Sequence, residues 1–129
     1  MLKDSLAIAL SNILGAEKIG RNEAVIKPSS KLIREVLALL NANGYVGIFE
    51  ELSASRGGVL KINLLGSINK CGVVKPRFSV KKDGFEKFEK RYLPAKGMGL
   101  LIVSTQDGLV THEQAKSKGI GGRLIAYCY

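Results

Sequence analysis

The stretch that decides the fold spans residues 99–127 and reads GLLIVSTQDGLVTHEQAKSKGIGGRLIAY. Its apolar run at 100–103 predicts a short buried strand, which stops at three hydrogen-bonding side chains, Ser104, Thr105 and Gln106. A strand of this kind holds the polar groups at its end rigidly at a surface. The sequence therefore predicts a stiff tip of hydroxyl and amide groups.

The residues after this tip predict a turn, a short helix and a second strand. Asp107-Gly108 is typical of a turn, and Thr111 with Gln114 three positions later forms a capping-box pattern at a helix start. Gly119 is the natural end of that helix. After Gly121-Gly122 the chain is expected to be extended, with Leu124, Ala126 and Cys128 on one face and Ile125 and Tyr127 on the other.

The first half of the chain predicts a compact α+β unit with both helices on one face of a sheet. The pattern indicates a helix capped by Asp4 that ends at Leu14, before Gly15, and an antiparallel hairpin whose turn contains Arg56. The expected order is helix 4–14, strand 23–27, helix 31–43, strand 45–52 and strand 59–65.

Two features of this half have both a structural and a functional interpretation. Lys27, Ser29 and Lys31 cluster about a helix N-terminus, where backbone N–H groups and the helix dipole suit a phosphate. The alternative is an ordinary cap with solvated lysines. Asn12 lies off the apolar stripe of the first helix, either as a solvated residue or as a ligand of RNA ribose or phosphate.

Charge restricts the class of partner. The chain has 129 residues, 46% of them apolar, and carries a net charge of +9. Nucleic acid is the leading partner, with an anionic membrane second. The membrane interpretation lacks an apolar run of spanning length, and no signal-peptide pattern opens the chain. Cys71 and Cys128 lack Cys or His neighbours at ligand spacing, which indicates structural thiols in a reduced, cytosolic protein.

Most of the excess charge lies between Lys70 and Lys96, where nine Lys and Arg face three Asp and Glu. Apolar residues alternate with these charges around Pro76, which excludes a central strand position. A short helix is expected at 86–92. A solvated face is the ordinary explanation of such a run, but the one-sided excess favours phosphate contact, with Lys75 and Lys81 as candidates.

The residues argue against an enzyme. Ser104, Asp107 and His112 resemble a triad, but all three fall within nine residues, whereas a triad converges from separate elements. We expect His112 to be a surface residue, and a small serine hydrolase stays a remote alternative. The sequence offers no metal-ligand set and no dinucleotide motif, so neither metal nor cofactor is expected. A basic, non-catalytic binder remains, and its polar tip suits irregular RNA better than duplex DNA.

Two separated segments resemble one known family, the eighth protein of the small ribosomal subunit. They are KPSSKLIREVLALLNANGY at 27–45 and IVSTQDGLVTHEQAKSKGIGGRLIAY at 102–127. The resemblance implies an α+β fold with an N-terminal α/β unit, residues 1–66, packed against a β-rich C-terminal unit, residues 67–129, which carries a short helix. It covers almost the whole chain and is weakest between about residues 66 and 94.

The resemblance also implies a function. Such a protein is a cytoplasmic, structural part of the ribosome and a primary binder of the central domain of small-subunit rRNA, where it helps to assemble the platform. Its partners are this rRNA and neighbouring ribosomal proteins, with its own operon mRNA for some relatives; an mRNA-binding translational regulator is the alternative. No membrane is implied. The residues expected at RNA are Ser104, Thr105, Gln106, Gly121, Gly122, Arg123, Asp4, Asn12, Lys27, Ser29, Lys31, Arg56, Lys75 and Lys81.

The chain departs from bacterial members at two of these positions. Gln106 stands where they have a second Ser, and Arg123 stands where they have a Glu that braces the loop. Because Arg cannot accept a hydrogen bond, the bracing must differ here. These departures point to the archaeal or eukaryotic branch.

Overall fold

The computed structural model describes residues 5–26, 30–53, 59–95 and 97–129. The chain divides into two compact units, Met1–Asn69 and Lys70–Tyr129. The described residues form four helices and eight strands, and all strand pairs in the two sheets are antiparallel. This confirms the predicted α+β class.

The first unit follows the predicted order of elements. It contains α1 (Ser5–Lys18), β1 (Glu23–Ile26), α2 (Lys31–Ala42), β2 (Val46–Ser53) and β3 (Val59–Leu64). The strand order is β1-β3-β2, so the last strand along the chain lies in the middle of the sheet. Leu60, Ile62 and Leu64 of β3 are buried, as the alternating pattern predicts.

Helix α1 is longer than the sequence predicts. It continues through Gly15 to Lys18, whereas the pattern places its end at Leu14. In the extra turn, the Glu17 carboxylate accepts hydrogen bonds from the backbone N–H groups of Gly66 (3.1 Å) and Ile68 (3.0 Å). These tertiary bonds outweigh the weak helix propensity of Gly15. The predicted cap, Asp4, lies outside the described residues.

Helix α2 begins where the sequence places it. Ser30 is the N-cap, and its side chain accepts a hydrogen bond of 3.2 Å from the backbone N–H of Ile33. The helix buries Ile33, Val36, Leu37 and Leu40, which lie at helical spacing.

The second unit is built on a sheet with β8 at its centre. Its elements are β4 (Cys71–Val73), β5 (Ser79–Val80), α3 (Phe85–Tyr92), β6 (Leu100–Thr105), β7 (Gly108–Thr111), α4 (His112–Lys118) and β8 (Gly122–Cys128). The strand order is β4-β8-β6-β7, and β5 also pairs with β8. Cys71 lies opposite Cys128 in this pairing, although the two are far apart in sequence, and both thiols are buried.

Two details of this sheet differ from the sequence analysis. Strand β7 was not predicted, because it is only four residues long and runs directly into α4. In β8, the pairing with β6 shifts so that Ile102 faces Ala126 while Val103 faces Leu124. Ile125 is therefore an extra, buried residue, and the predicted strict alternation of faces is wrong at this bulge.

The core of the second unit joins the sheet to α3 and α4. Leu101 and Val103 of β6 pack with Phe85 and Phe88 of α3 and Ala115 of α4. This packing fixes the end of β6, where the predicted polar tip lies.

Candidate nucleic-acid interface

An open groove of about 530 Å³ lies at the end of the second sheet. Three stretches that are remote in sequence form its walls: the end of β6 with the following turn, the start of β8, and β5 with the residue after it. The lining residues are Ser79, Val80, Lys81, Ser104, Thr105, Gln106, Gly121, Gly122 and Arg123.

Thr105 holds the shape of the tip. Its hydroxyl donates a hydrogen bond of 2.8 Å to the carbonyl oxygen of Gly108 and accepts one of 3.1 Å from the N–H of Asp107. Gly108 has a φ of 98°, a left-handed conformation that favours glycine. Because the donor of Thr105 is already used, this residue positions the turn rather than offering a proton to a ligand.

The neighbours of Thr105 present unused polar groups. Ser104 and Gln106 are both exposed, and neither side chain makes a hydrogen bond to the part of the chain that the structure describes. A hydroxyl and a primary amide can each donate and accept hydrogen bonds. The tip therefore combines a fixed backbone with two available hydrogen-bonding side chains.

The two glycines of the groove are required for space. A Cβ atom on Gly122 would overlap the carbonyl oxygen of Ser104, and one on Gly121 would overlap that of Val80. Neither glycine has a positive φ, so the constraint is the close approach of neighbouring backbones. This approach brings the start of β8 and the ends of β6 and β5 together at the groove.

Arg123 and Lys81 supply the positive charge. Arg123 lies opposite Ser79 of β5 and opposite Ser104 of β6 in the strand pairing, and it is exposed. Within the described parts of the chain, no carboxylate pairs with Arg123 or Lys81. Two unpaired cations beside hydroxyl and amide groups suit a ligand with both phosphates and hydrogen-bonding edges.

His112 is buried, and the prediction of a surface residue is wrong. Its side chain is 3% exposed; Nδ1 accepts a hydrogen bond of 3.1 Å from the N–H of Leu101, and Nε2 lies 3.3 Å from Oε1 of Glu89. Lys116 forms an ion pair with the same carboxylate. Burial lowers the pKa of His112; the charge of Lys116 acts in the same direction, and that of Glu89 opposes it. Both ring nitrogens are thus engaged in structure.

Helix α4 begins and ends as predicted. Thr111 and Gln114 form a complete capping box, and Gly119 is left-handed at the C-cap with a φ of 68°. Thr111 ends β7 and caps α4, so the strand leads directly into the helix. At the other end, Gly119 turns the chain towards Gly121 and the groove.

The other predicted residues fall into three groups. Lys75 lies between β4 and β5, is exposed and does not line the groove. In the first unit, Lys31 is exposed at the start of α2, and Asn12 lines a separate groove with Ser11, Arg21 and Asn22. The remaining candidates, Asp4, Lys27, Ser29 and Arg56, lie outside the described residues. Ser79 lines the groove but was not predicted, because only its pairing with β8 places it there.

Ser104 and His112 do not form a nucleophile–base pair. Ser104 is exposed at the tip while His112 is buried with both nitrogens engaged, so the serine has no base of this kind. No cluster of three or more metal-binding side chains occurs among the described residues. None of the helices in the described ranges has the length and apolarity needed to cross a membrane.

The fold and the groove define a basic α+β protein with an open, polar groove. The family model described as ribosomal protein S8 matches residues 4–129. The chain therefore belongs to the ribosomal protein S8 family. It is a structural protein of the small ribosomal subunit that binds rRNA and works in the cytoplasm as part of the ribosome, together with other ribosomal proteins.

Proposed function

We propose that the groove between β5, β6 and β8 is the principal rRNA-binding site of this protein. The observation that carries the proposal is the convergence of Ser104, Gln106, Lys81 and Arg123 around one open groove. Seven of the predicted RNA-binding residues line it, although they come from three separate stretches of sequence. The charge of the chain supports this placement, because residues 70–129 carry 12 Lys and Arg against 5 Asp and Glu.

The groups in the groove have different roles in this proposal. Ser104 and Gln106 form hydrogen bonds with base edges and with 2′-hydroxyls. The 2′-hydroxyls distinguish RNA from DNA. Arg123 and Lys81 contact phosphates and set the register of the RNA. Thr105 and the two glycines hold the tip in place before binding, so little ordering entropy is lost when the RNA arrives.

The proposed target is an irregular helix in the central domain of small-subunit rRNA, where binding helps to assemble the platform. An irregular helix exposes bases that side chains cannot reach in the deep groove of regular A-form RNA. The tip matches such a target because its side chains are polar and exposed and Thr105 holds its turn in place. Lys31 and the groove that contains Asn12 add contacts from the first unit.

The residues at two positions support assignment to the archaeal or eukaryotic branch. Gln106 and Arg123 stand where bacterial members have Ser and Glu. In this chain Arg123 is exposed beside the groove, and no carboxylate of the described chain neutralises it. We propose that Thr105 and the close backbone approach at Gly122 replace the bracing Glu, which leaves Arg123 available for RNA.

Titration of the protein with two rRNA transcripts of equal length tests this function. One transcript contains the central domain and the other a different domain of the same small-subunit rRNA. We expect the central-domain transcript to bind more tightly, and Ser104→Ala to weaken that binding by about 1–3 kcal/mol. Lys90→Ala is the control, since Lys90 is exposed on α3 and paired with Glu86 at 3.6 Å.

Equal binding of the two transcripts would contradict the choice of target. An unchanged affinity of Ser104→Ala and Gln106→Ala would contradict the choice of site. The protein's own mRNA serves as a competitor of the central-domain transcript. Tighter binding of the mRNA would favour translational regulation over assembly.

A further inference from the structure

A second cationic surface is formed by α3 and by Phe78, the residue before β5, and none of its residues lines the groove. We call it the α3 surface and define it by Phe78, Lys87, Arg91 and Tyr92, which lie at the edge of the core that contains the buried ring of Phe88. The guanidinium carbon of Arg91 lies 5.3 Å from the ring centre of Phe78 and 5.5 Å from that of Tyr92. The ammonium of Lys87 lies 5.2 Å from the ring centre of Phe88. All three distances fall within the range of cation–π contacts.

The cations of the α3 surface have no acidic partners. Within the described residues, neither Lys87 nor Arg91 lies within 4.0 Å of a carboxylate. The two acidic residues of α3 are engaged elsewhere, Glu86 with Lys90 and Glu89 with Lys116 and His112. Lys87 and Arg91 are one helical turn apart, so their charges lie on one side of α3. The surface therefore presents positive charge without neutralisation.

The aromatic part of this surface is anchored. The carbonyl oxygen of Phe78 accepts a 2.9 Å hydrogen bond from the N–H of Leu124 in β8, and its ring lies 5.3 Å from that of Phe88. On the other side, Tyr92 stacks on Tyr127 of β8 at 5.4 Å. Arg91 is exposed but rests against two anchored rings, which restricts the rotamers of its long side chain.

We propose that the α3 surface binds an unpaired segment of RNA, with a base stacked on the Arg91 guanidinium and its flanking rings and with phosphates on Lys87 and Arg77. Arg77 is exposed directly before Phe78 and, within the described chain, has no carboxylate partner. Flat cationic and aromatic faces next to lysines are the features that single-stranded nucleic acid requires. An acidic polypeptide requires only the charge. This inference goes beyond the proposed groove and does not depend on it.

Binding of a fluorescein-labelled octauridylate to the full chain tests the proposal. This probe has no folded structure for the groove to recognise. We expect Arg91→Lys to weaken its binding at least fivefold, because Lys keeps the charge but loses the flat face that stacks on a base. Phe78→Leu should have a similar effect. Lys90→Ala, which removes a charge from the same helix, should change the affinity less than twofold.

A second measurement detects the stacking directly. Octauridylate with 5-iodouridine at each position should crosslink to peptides that contain Phe78 or Tyr92 under ultraviolet light, and Arg91→Lys should lose most of that yield. Thermal unfolding of each variant confirms that it is folded.

The proposal is overturned if folded Arg91→Lys binds octauridylate as the wild type does, or if crosslinks map elsewhere. It is also overturned if Lys90→Ala weakens binding as much as Arg91→Lys, since the loss would then not be specific to the guanidinium that stacks on the base. Failure of the groove is a separate result, because Ser104→Ala and Gln106→Ala are assayed with the folded rRNA transcript and the α3 variants with this probe.

Discussion

Gly122 lies so close to the main-chain carbonyl of Ser104 that a Cβ atom at this position would overlap the oxygen. The overlap is with backbone, which cannot rotate away as the end of a flexible side chain does. Adding a methyl group must therefore separate the start of β8 from the end of β6 or move the tip. We therefore expect stability and RNA binding to be coupled at this contact.

We expect Gly122→Ala to lower the free energy of unfolding by about 1–3 kcal/mol, the usual cost of overpacking, and to weaken rRNA binding as the groove distorts. Urea unfolding and transcript titration measure the two effects. Gly15→Ala is the matched control, because its Cβ would meet open space within helix α1. That change should stabilise the protein by about 0.5–1 kcal/mol. A neutral Gly122→Ala would contradict the proposed backbone contact.

Two substitutions isolate the role of the Thr105 hydroxyl in holding the turn. Thr105→Val removes the hydroxyl that bonds Gly108 and Asp107 and should cost about 1–2 kcal/mol in the free energy of unfolding. Thr105→Ser keeps the hydroxyl and should lose much less. Chemical denaturation of both variants provides the comparison. If the two lose stability equally, the hydroxyl does not hold the turn.

The buried imidazole of His112 should make stability depend on pH. Because its pKa is lowered in the folded protein, the unfolded chain takes up the proton first as the pH falls below about 6.5. The contribution of neutral His112 to the free energy of unfolding is therefore fully present above that pH. It decreases below that pH by at most about 1.4 kcal/mol per pH unit. The surrounding charges are Glu89, Lys116 and Glu113.

His112→Asn isolates this effect, since an amide oxygen can still accept the N–H of Leu101 but does not titrate. Urea unfolding at pH 8 and pH 5.5 should show a larger loss for the wild type than for the variant. Equal losses would assign the acid sensitivity to the carboxylates instead.

Local signals in the sequence predicted the elements well. The capping box at Thr111 and the left-handed Gly119 depend on residues within a few positions of one another, and both are confirmed. The burial of His112 depends on Leu101 and Glu89 from other elements, so no local pattern could reveal it. The end of α1 was predicted wrongly at Gly15 for the same reason. Hydrogen bonds from the backbone N–H groups of residues 66 and 68 to Glu17 stabilise the turn of α1 that follows Gly15.

The sequence predicted only part of the geometry of the groove. The polar tip was recognisable because an apolar strand ends abruptly at Ser104. The place of Lys81 beside it follows from the pairing of β5 with β8, which involves only two residues of a short strand. Such a pairing has too little sequence signal to predict. The Gly121 and Gly122 pair was indicated by resemblance, and the structure adds the steric reason.

Salt dependence distinguishes the cations that contact RNA from those that are merely exposed. A plot of log K against log salt concentration has a negative slope. Each phosphate contact that is removed should reduce the magnitude of this slope by about 0.7–0.9, because fewer counterions are released on binding. We expect this change for Arg123→Ala and for Lys81→Ala with the central-domain transcript. Lys90→Ala, which removes a charge already paired with Glu86, should leave the slope nearly unchanged. Titrations between 50 and about 200 mM salt cover the useful range. A slope that falls equally in all three variants would mean that only net charge matters, and the groove would lose its assigned role.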